Sequence, residues 1–222
     1  MEASASRSIA GKHIVLVHGG CHGGWCWYKV AARQTSAGVY RVATPDLAAS
    51  GVDGRRLRDV PTFRDYTGPL LEVLRSLPDG EKAVLVGHSL GGLSVALAAE
   101  ELPEKVAAAV FLCAFMPDCT SPPSHVLQQD ITLGKSLMRV GSAFLEDLQI
   151  QQPLSKGLYG SVRKIYIIYK QDRTLPEGFQ RWMLSKNPVD EVKEIDAADH
   201  MAMLSTPDEL VQCIMDIIER YN

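Results

Sequence analysis

Gly87-His88-Ser89-Leu90-Gly91 constrains the fold of this chain more than any other stretch. It reads G-x-S-x-G. An apolar run, Lys82-Ala83-Val84-Leu85-Val86, precedes it, and a helix-forming run from Leu93 to Glu101 follows. Strand, sharp turn and helix are the setting of a nucleophile elbow, a strained turn that lifts a serine hydroxyl to the carboxyl edge of a sheet and exposes it. Glycines two residues either side of Ser89 admit the tight turn. The helix N-terminus beneath the serine favours developing negative charge.

Strand-like and helix-like segments alternate around this motif. Residues 13–17, 39–44, 106–114 and 163–169 are apolar runs predicted as strands, and 190–195 alternates Val and Ile with charges as an edge strand does. Residues 25–37, 62–77 and 176–186 carry helical patterns. Thr62 with Asp65 three residues on is a capping-box variant. Thr206-Pro207-Asp208-Glu209 opens a last helix, with Pro at its first position and acids in its first turn. Continuous apolar strands between amphipathic helices predict a mostly parallel sheet of about six strands, covered on both faces. Ligands bind beyond the carboxyl ends of such strands. Residues 117–160 interrupt the alternation, with helical pattern from 131 to 148, and are placed like a cap on that side.

A serine nucleophile needs a base, and the base needs an orienting carboxylate. Downstream of Ser89 stand His125 and His200. His200 follows the last strand, where this architecture places its base, so it is preferred to His125 in the irregular insertion. Asp172 follows the penultimate strand. Asp199 is its nearest rival, but adjacent residues rarely turn their tips toward one another. The order Ser89, Asp172, His200 is that of an α/β-hydrolase. Two oxyanion donors are expected: the amide of Leu90, after the nucleophile, and that of Gly20, in the loop His18-Gly19-Gly20-Cys21-His22-Gly23-Gly24. Neither a cofactor nor a metal is implied. His18, His22 and Asp46 lack the spacing that would bring them together on an ion.

The 222 residues are enough for one domain with a substantial core, and 46% apolar with 22% charged residues is ordinary for a soluble globular chain. A net charge of −3 without a basic block points away from nucleic acid and from anionic membranes. Five cysteines form no C-x-x-C pair and read as free thiols in a reducing compartment. The polar first residues hold no secretory h-region, and a cytoplasmic location is the expectation.

The segments VLVHGGCHGGWCWYKV, DLAASGVD, LVGHSLGGLSVALA, AAVFLCAFMPD, YGSVRKIYIIYKQD, PEGFQRWM and ADHMAML resemble the plant methylesterase family, the esterases of methyl salicylate, methyl jasmonate and methyl indole-acetate. Hydroxynitrile lyases and alkaloid-pathway esterases are its relatives. The resemblance spans nearly the whole chain. It implies the same triad and oxyanion donors, and His88, Phe115 and Met201 at the substrate. The lyases look to carry Thr in place of Gly19, Lys in place of Met201 and Glu in place of His88, so the resemblance sorts this chain with the esterases. The expected function is hydrolysis of a small-molecule methyl ester through an acyl-enzyme. A hydrolase-fold binding or receptor protein with weak turnover is the alternative, and a hydroxynitrile lyase a further one. The chain departs from the family where Gln129 runs into Asp130: several tens of cap residues are missing there. A single domain over 1–222 with a shortened cap at about 117–160 is therefore expected, with a wide cleft, a solvent-exposed Ser89, and an apolar cap remnant able to promote a homodimer.

Overall fold

The uninterrupted apolar runs form the interior of one parallel sheet. A computed structural model describes residues 12–35, 40–128 and 144–221. Its strands are β1 (Lys12–Val17), β2 (Tyr40–Ala43), β3 (Ala83–Ser89), β4 (Val106–Ala114), β5 (Lys164–Tyr169) and β6 (Glu191–Ile195). They lie in the order β2-β1-β3-β4-β5-β6, each parallel to its neighbours. β3 and β5 are buried along their whole length, whereas β6 at the edge alternates half-buried and exposed residues, with Val192 on the exposed side and Ile195 buried. Strands buried on both sides require helices on both faces.

Those helices are α1 (Tyr28–Thr35), α2 (Phe63–Arg75), α3 (Gly91–Glu101), α4 (His125–Gln128), α5 (Leu145–Ile150), α6 (Glu177–Lys186), α7 (Ala202–Ser205) and α8 (Pro207–Tyr221). α1 packs with α8, and α2 with α3. α2 begins as its sequence predicts. Thr62 Oγ1 accepts from the Asp65 amide at 3.0 Å and donates to Asp65 Oδ2 at 2.6 Å. α1 starts later than predicted, because a 3-10 turn at Gly24–Trp27 precedes it. Among the described residues, no helix is long and apolar enough to cross a membrane.

The two described ends of the 117–160 insertion are fastened to the body by hydrogen bonds. Pro117 O accepts from Tyr159 Oη at 2.9 Å and from Asn187 Nδ2 at 2.8 Å. Glu100 Oε2, on α3, accepts from the amides of Ser155 and Tyr159 at 3.0 and 3.1 Å. Asp147 Oδ2, on α5, accepts from the first amide of α2, Phe63 N, at 2.8 Å. The junction at residues 129–130, and the helical pattern from 131 up to 143, lie outside the described residues.

Candidate active site

β3 delivers Ser89 to the carboxyl edge of the sheet, and the chain reverses there into α3. Ser89 has φ 53°, in the left-handed region that costs a non-glycine residue energy. The glycines around it are needed for close approach. A Cβ on Gly91 would lie 2.5 Å from His18 O, and one on Gly87 would lie 2.8 Å from Gly91 O. The elbow is thus wedged against the end of β1. Ser89 is only 5% exposed, so the solvent-exposed nucleophile expected from the shortened cap is not what the structure shows.

Two loops bring the partners. Asp172 follows β5, and His200 lies between β6 and α7. His200 Nε2 is 3.2 Å from Ser89 Oγ, and His200 Nδ1 is 2.6 Å from Asp172 Oδ2. The other carboxylate oxygen, Oδ1, accepts from the amides of Thr174 and Leu175 at 2.6 and 2.9 Å. Burial opposes the charge on Asp172, but the hydrogen bond and charge of His200, with hydrogen bonds from Cys113 and Leu175, outweigh it and hold the carboxyl below its usual range. An ionised carboxylate only accepts, so Nδ1 carries the proton and the Nε2 lone pair faces the serine hydroxyl. The rival Asp199, and the other acid near the strand ends, Asp118, are occupied elsewhere. Asp199 accepts from Met201 N and Ser205 Oγ, and Asp118 accepts from the amides of Thr120 and Ser121. The ring of His125 packs on Trp182.

The loop after β1 lies beside this line of side chains. His22 Nδ1–H donates to Gly20 O at 2.7 Å, which fixes the peptide after Gly20. A Cβ on Gly20 would sit 3.5 Å from Leu90 Cδ2, so Gly20 and Leu90 are neighbours. Among the described residues, neither of their amides has an acceptor. His18 donates from Nδ1 to Gly19 O and accepts from Leu47 N on Nε2, and burial pushes its pKa down. Asp46 accepts from the amides of Gly24 and Val52. Both are structural staples.

Residues 14–212 match the Alpha/beta hydrolase family. The chain is 40% identical to Salicylic acid-binding protein 2 of Nicotiana tabacum, over 96% of this chain and 99% of that protein. It is 40% identical to Methylesterase 1 of Arabidopsis thaliana, over 95% of this chain and 97% of that one. The crystal structure of polyneuridine aldehyde esterase superposes with a TM-score of 0.86 at 39% identity, over 93% of this chain and 99% of that chain. This chain belongs to the α/β-hydrolase family, on its plant methylesterase branch.

In this hydrolase the three residues expected at the substrate have different surroundings. Phe115 is buried; its amide donates to Ser89 O at 3.0 Å and its ring meets Phe179 edge-on. Met201 is half-buried and adjoins His200 at the start of α7. His88 also contacts the base. It is buried, its Nε2–H donates to His200 O at 2.6 Å, and its ring lies 4.7 Å from that of His200. Burial, then the neighbouring His200, hold its pKa well below the ordinary value, so it stays neutral. That hydrogen bond ties the His88 ring to the backbone of the His200 loop.

One neighbour of the site has no signal in the sequence. Cys113 Sγ lies 2.7 Å from Asp172 Oδ2. Cys113, Asp172 and His200 have ligand atoms within 4.8 Å of one another. They fit an ion poorly. Oδ2 stands 2.7 and 2.6 Å from the sulfur and Nδ1, too close to both for the three atoms to be ligands of one ion. Ligands about 2.0–2.3 Å from a tetrahedral metal stand farther apart than that.

Proposed function

We propose that this hydrolase is a serine carboxylesterase that cleaves small methyl esters of aromatic or plant hormone-type acids through an acyl-enzyme. The hydrogen-bonded line Ser89–His200–Asp172, ending beside two unclaimed amides, carries the reading. Ser89 Oγ attacks the ester carbonyl carbon as His200 Nε2 takes its proton. The carbonyl oxygen becomes an oxyanion and accepts from the amides of Leu90 and Gly20; a donor of this kind is worth about 3–4 kcal/mol in the transition state. Collapse breaks the bond to the methoxy oxygen, which leaves as methanol with the proton from His200. Water then attacks the acyl carbon, His200 takes its proton, and the free acid departs as the proton returns to Ser89. The names of the relatives, a methylesterase and an aldehyde esterase among them, support this chemistry. The apolar side chain of Met201 beside the base suits an ester of an apolar acid.

The substrate site belongs to a single domain with a shortened cap. The tobacco relative aligns over 258 positions with a chain of 222 residues, so at least 36 of those positions have no counterpart here. We assign them to a junction at residues 129–130. A shorter cap buries less ligand, so we expect broad acceptance of short activated esters and slower turnover of unactivated ones. The same feature favours a second reading, a small-molecule binding protein with weak turnover. Gly19 and Met201 speak against cyanohydrin cleavage. Two exposed apolar side chains near the cap, Ile150 at 81% and Leu158 at 42%, offer a homodimer contact. Five free cysteines favour the cytosol. The deciding experiment supplies p-nitrophenyl acetate and methyl salicylate to the protein and its Ser89→Ala variant. Turnover by the first, an acetyl adduct on the Ser89 peptide, and loss of both in the variant are expected. Tight binding of the acid without turnover would establish the binding protein instead, and faster cleavage of mandelonitrile than of any ester would establish the lyase.

A further inference from the structure

Opposite the elbow, the pairing of β3 with β4 slips by one residue. His88 pairs with Leu112 and Ser89 with Ala114, which leaves Cys113 as an extra residue in β4. Its φ is 39°, again in the left-handed region. A bulge of this kind re-aims a side chain. Here the thiol arrives 2.7 Å from Asp172 Oδ2 and 3.7 Å from Leu175 O.

Asp172 Oδ2 is the oxygen that also accepts the hydrogen bond from His200 Nδ1–H. The carboxylate is therefore held by four donors: the Thr174 and Leu175 amides on Oδ1, and the thiol and imidazole on Oδ2. We infer that Cys113 is a positioning residue, whose S–H fixes the plane of the Asp172 carboxylate and divides the negative charge of Oδ2 between two donors. This rests on the esterase reading only for its effect on rate; the hydrogen bond itself does not depend on it. Burial and the adjacent carboxylate push the Cys113 thiol up, so it remains S–H and donates. The strain of the bulge gains its rationale from this contact, since unstrained β-pairing would turn residue 113 to one face of the sheet and away from Asp172.

The test uses Cys113→Ala, which removes the donor, and Cys113→Ser, which restores one. For each, kcat and KM with p-nitrophenyl acetate, the melting temperature, and the downfield proton resonance of the His200 Nδ1–H···Oδ2 bond are measured. The alanine variant is expected to lose roughly tenfold in kcat with KM within about twofold, because a misaligned carboxylate misplaces the base. Its downfield proton is expected to move further downfield, since Oδ2 then has one donor. Serine is expected to bring both back toward the parent values. A cysteine that merely fills space would lower the melting temperature while leaving the resonance and kcat in place, and that result overturns the inference. A second measurement needs no change at residue 113: the S–H stretching band in the Raman spectrum of the parent protein should include a strongly shifted member that Asp172→Asn moves. Its absence also overturns the inference. Failure of the parent protein to turn over any ester would refute the esterase reading alone, because the proton resonance and the Raman band still judge Cys113.

Discussion

The two halves of the site are held by different forces. On the nucleophile side, backbone meets backbone: Gly87, Gly91 and the end of β1 pack so closely that no Cβ fits. On the base side, Asp172 and His200 sit in loops and are held by directed hydrogen bonds, from the Thr174 and Leu175 amides, the Cys113 thiol and the imidazole of His88. Steric wedging allows few residue types, so it writes glycines into the chain at set positions. Hydrogen bonding tolerates many donors from anywhere in the fold. The first half should therefore fail as structure when altered, and the second as chemistry.

Asp172→Asn is the sharpest way to break the contrast on the base side. It should lower kcat by about 10⁴-fold, because an amide presents the wrong group to Nδ1, while the melting temperature stays near that of the parent. A large fall in melting temperature would show that this side also carries the fold.

Gly91→Ala tests the nucleophile side. Its Cβ would stand 2.5 Å from His18 O and 2.8 Å from Val17 O, both backbone atoms. Urea denaturation should show a loss of about 1–3 kcal/mol, accompanied by lost turnover. Full activity at unchanged stability would mean that β1 yields easily and that the wedge is not the principle there. Gly19→Thr belongs to the same class. Its Cβ would lie 2.9 Å from Ser89 Cβ, so it should reduce esterase activity by displacing the serine.

Acid reaches both halves, through His18 beside the wedge and His88 behind His200. Each is held below its ordinary value of 6.5, by burial first. Below that pH the unfolded chain binds protons that the folded one refuses, so stability is full above it and falls as the pH drops. The slope is at most about 1.4 kcal/mol per histidine for each pH unit below 6.5, and it ends where the folded protein itself takes up the protons. Urea midpoints at pH 7.5 and 5.5 measure it, and equal midpoints would contradict the neutral buried imidazoles. The smallest effect belongs to a region away from the site. Thr62→Ala removes the α2 cap and should cost about 1 kcal/mol with kcat unchanged.

What the sequence determined by itself is what local sterics and periodicity impose. Strand β4 was legible to the residue, from Val106 to Ala114, because a strand buried on both faces admits only apolar residues. The helix start at Thr62 was legible because one side chain and one amide make the cap. The elbow was legible because only glycine fits two residues either side of Ser89. The order of Ser89, Asp172 and His200 along the chain followed once the strands were placed. The tertiary structure alone decided how those residues are supported. His88 is adjacent to Ser89 in the chain, yet its ring serves the backbone of His200, 112 residues away. Cys113 reads as one more apolar residue in a strand until the slipped pairing with β3 turns its sulfur to Asp172. The depth of Ser89 was likewise hidden, since burial sums contributions from loops distant in sequence. Such hydrogen bonds and enclosures depend on register and on packing between elements, and neither leaves a periodic mark on the chain.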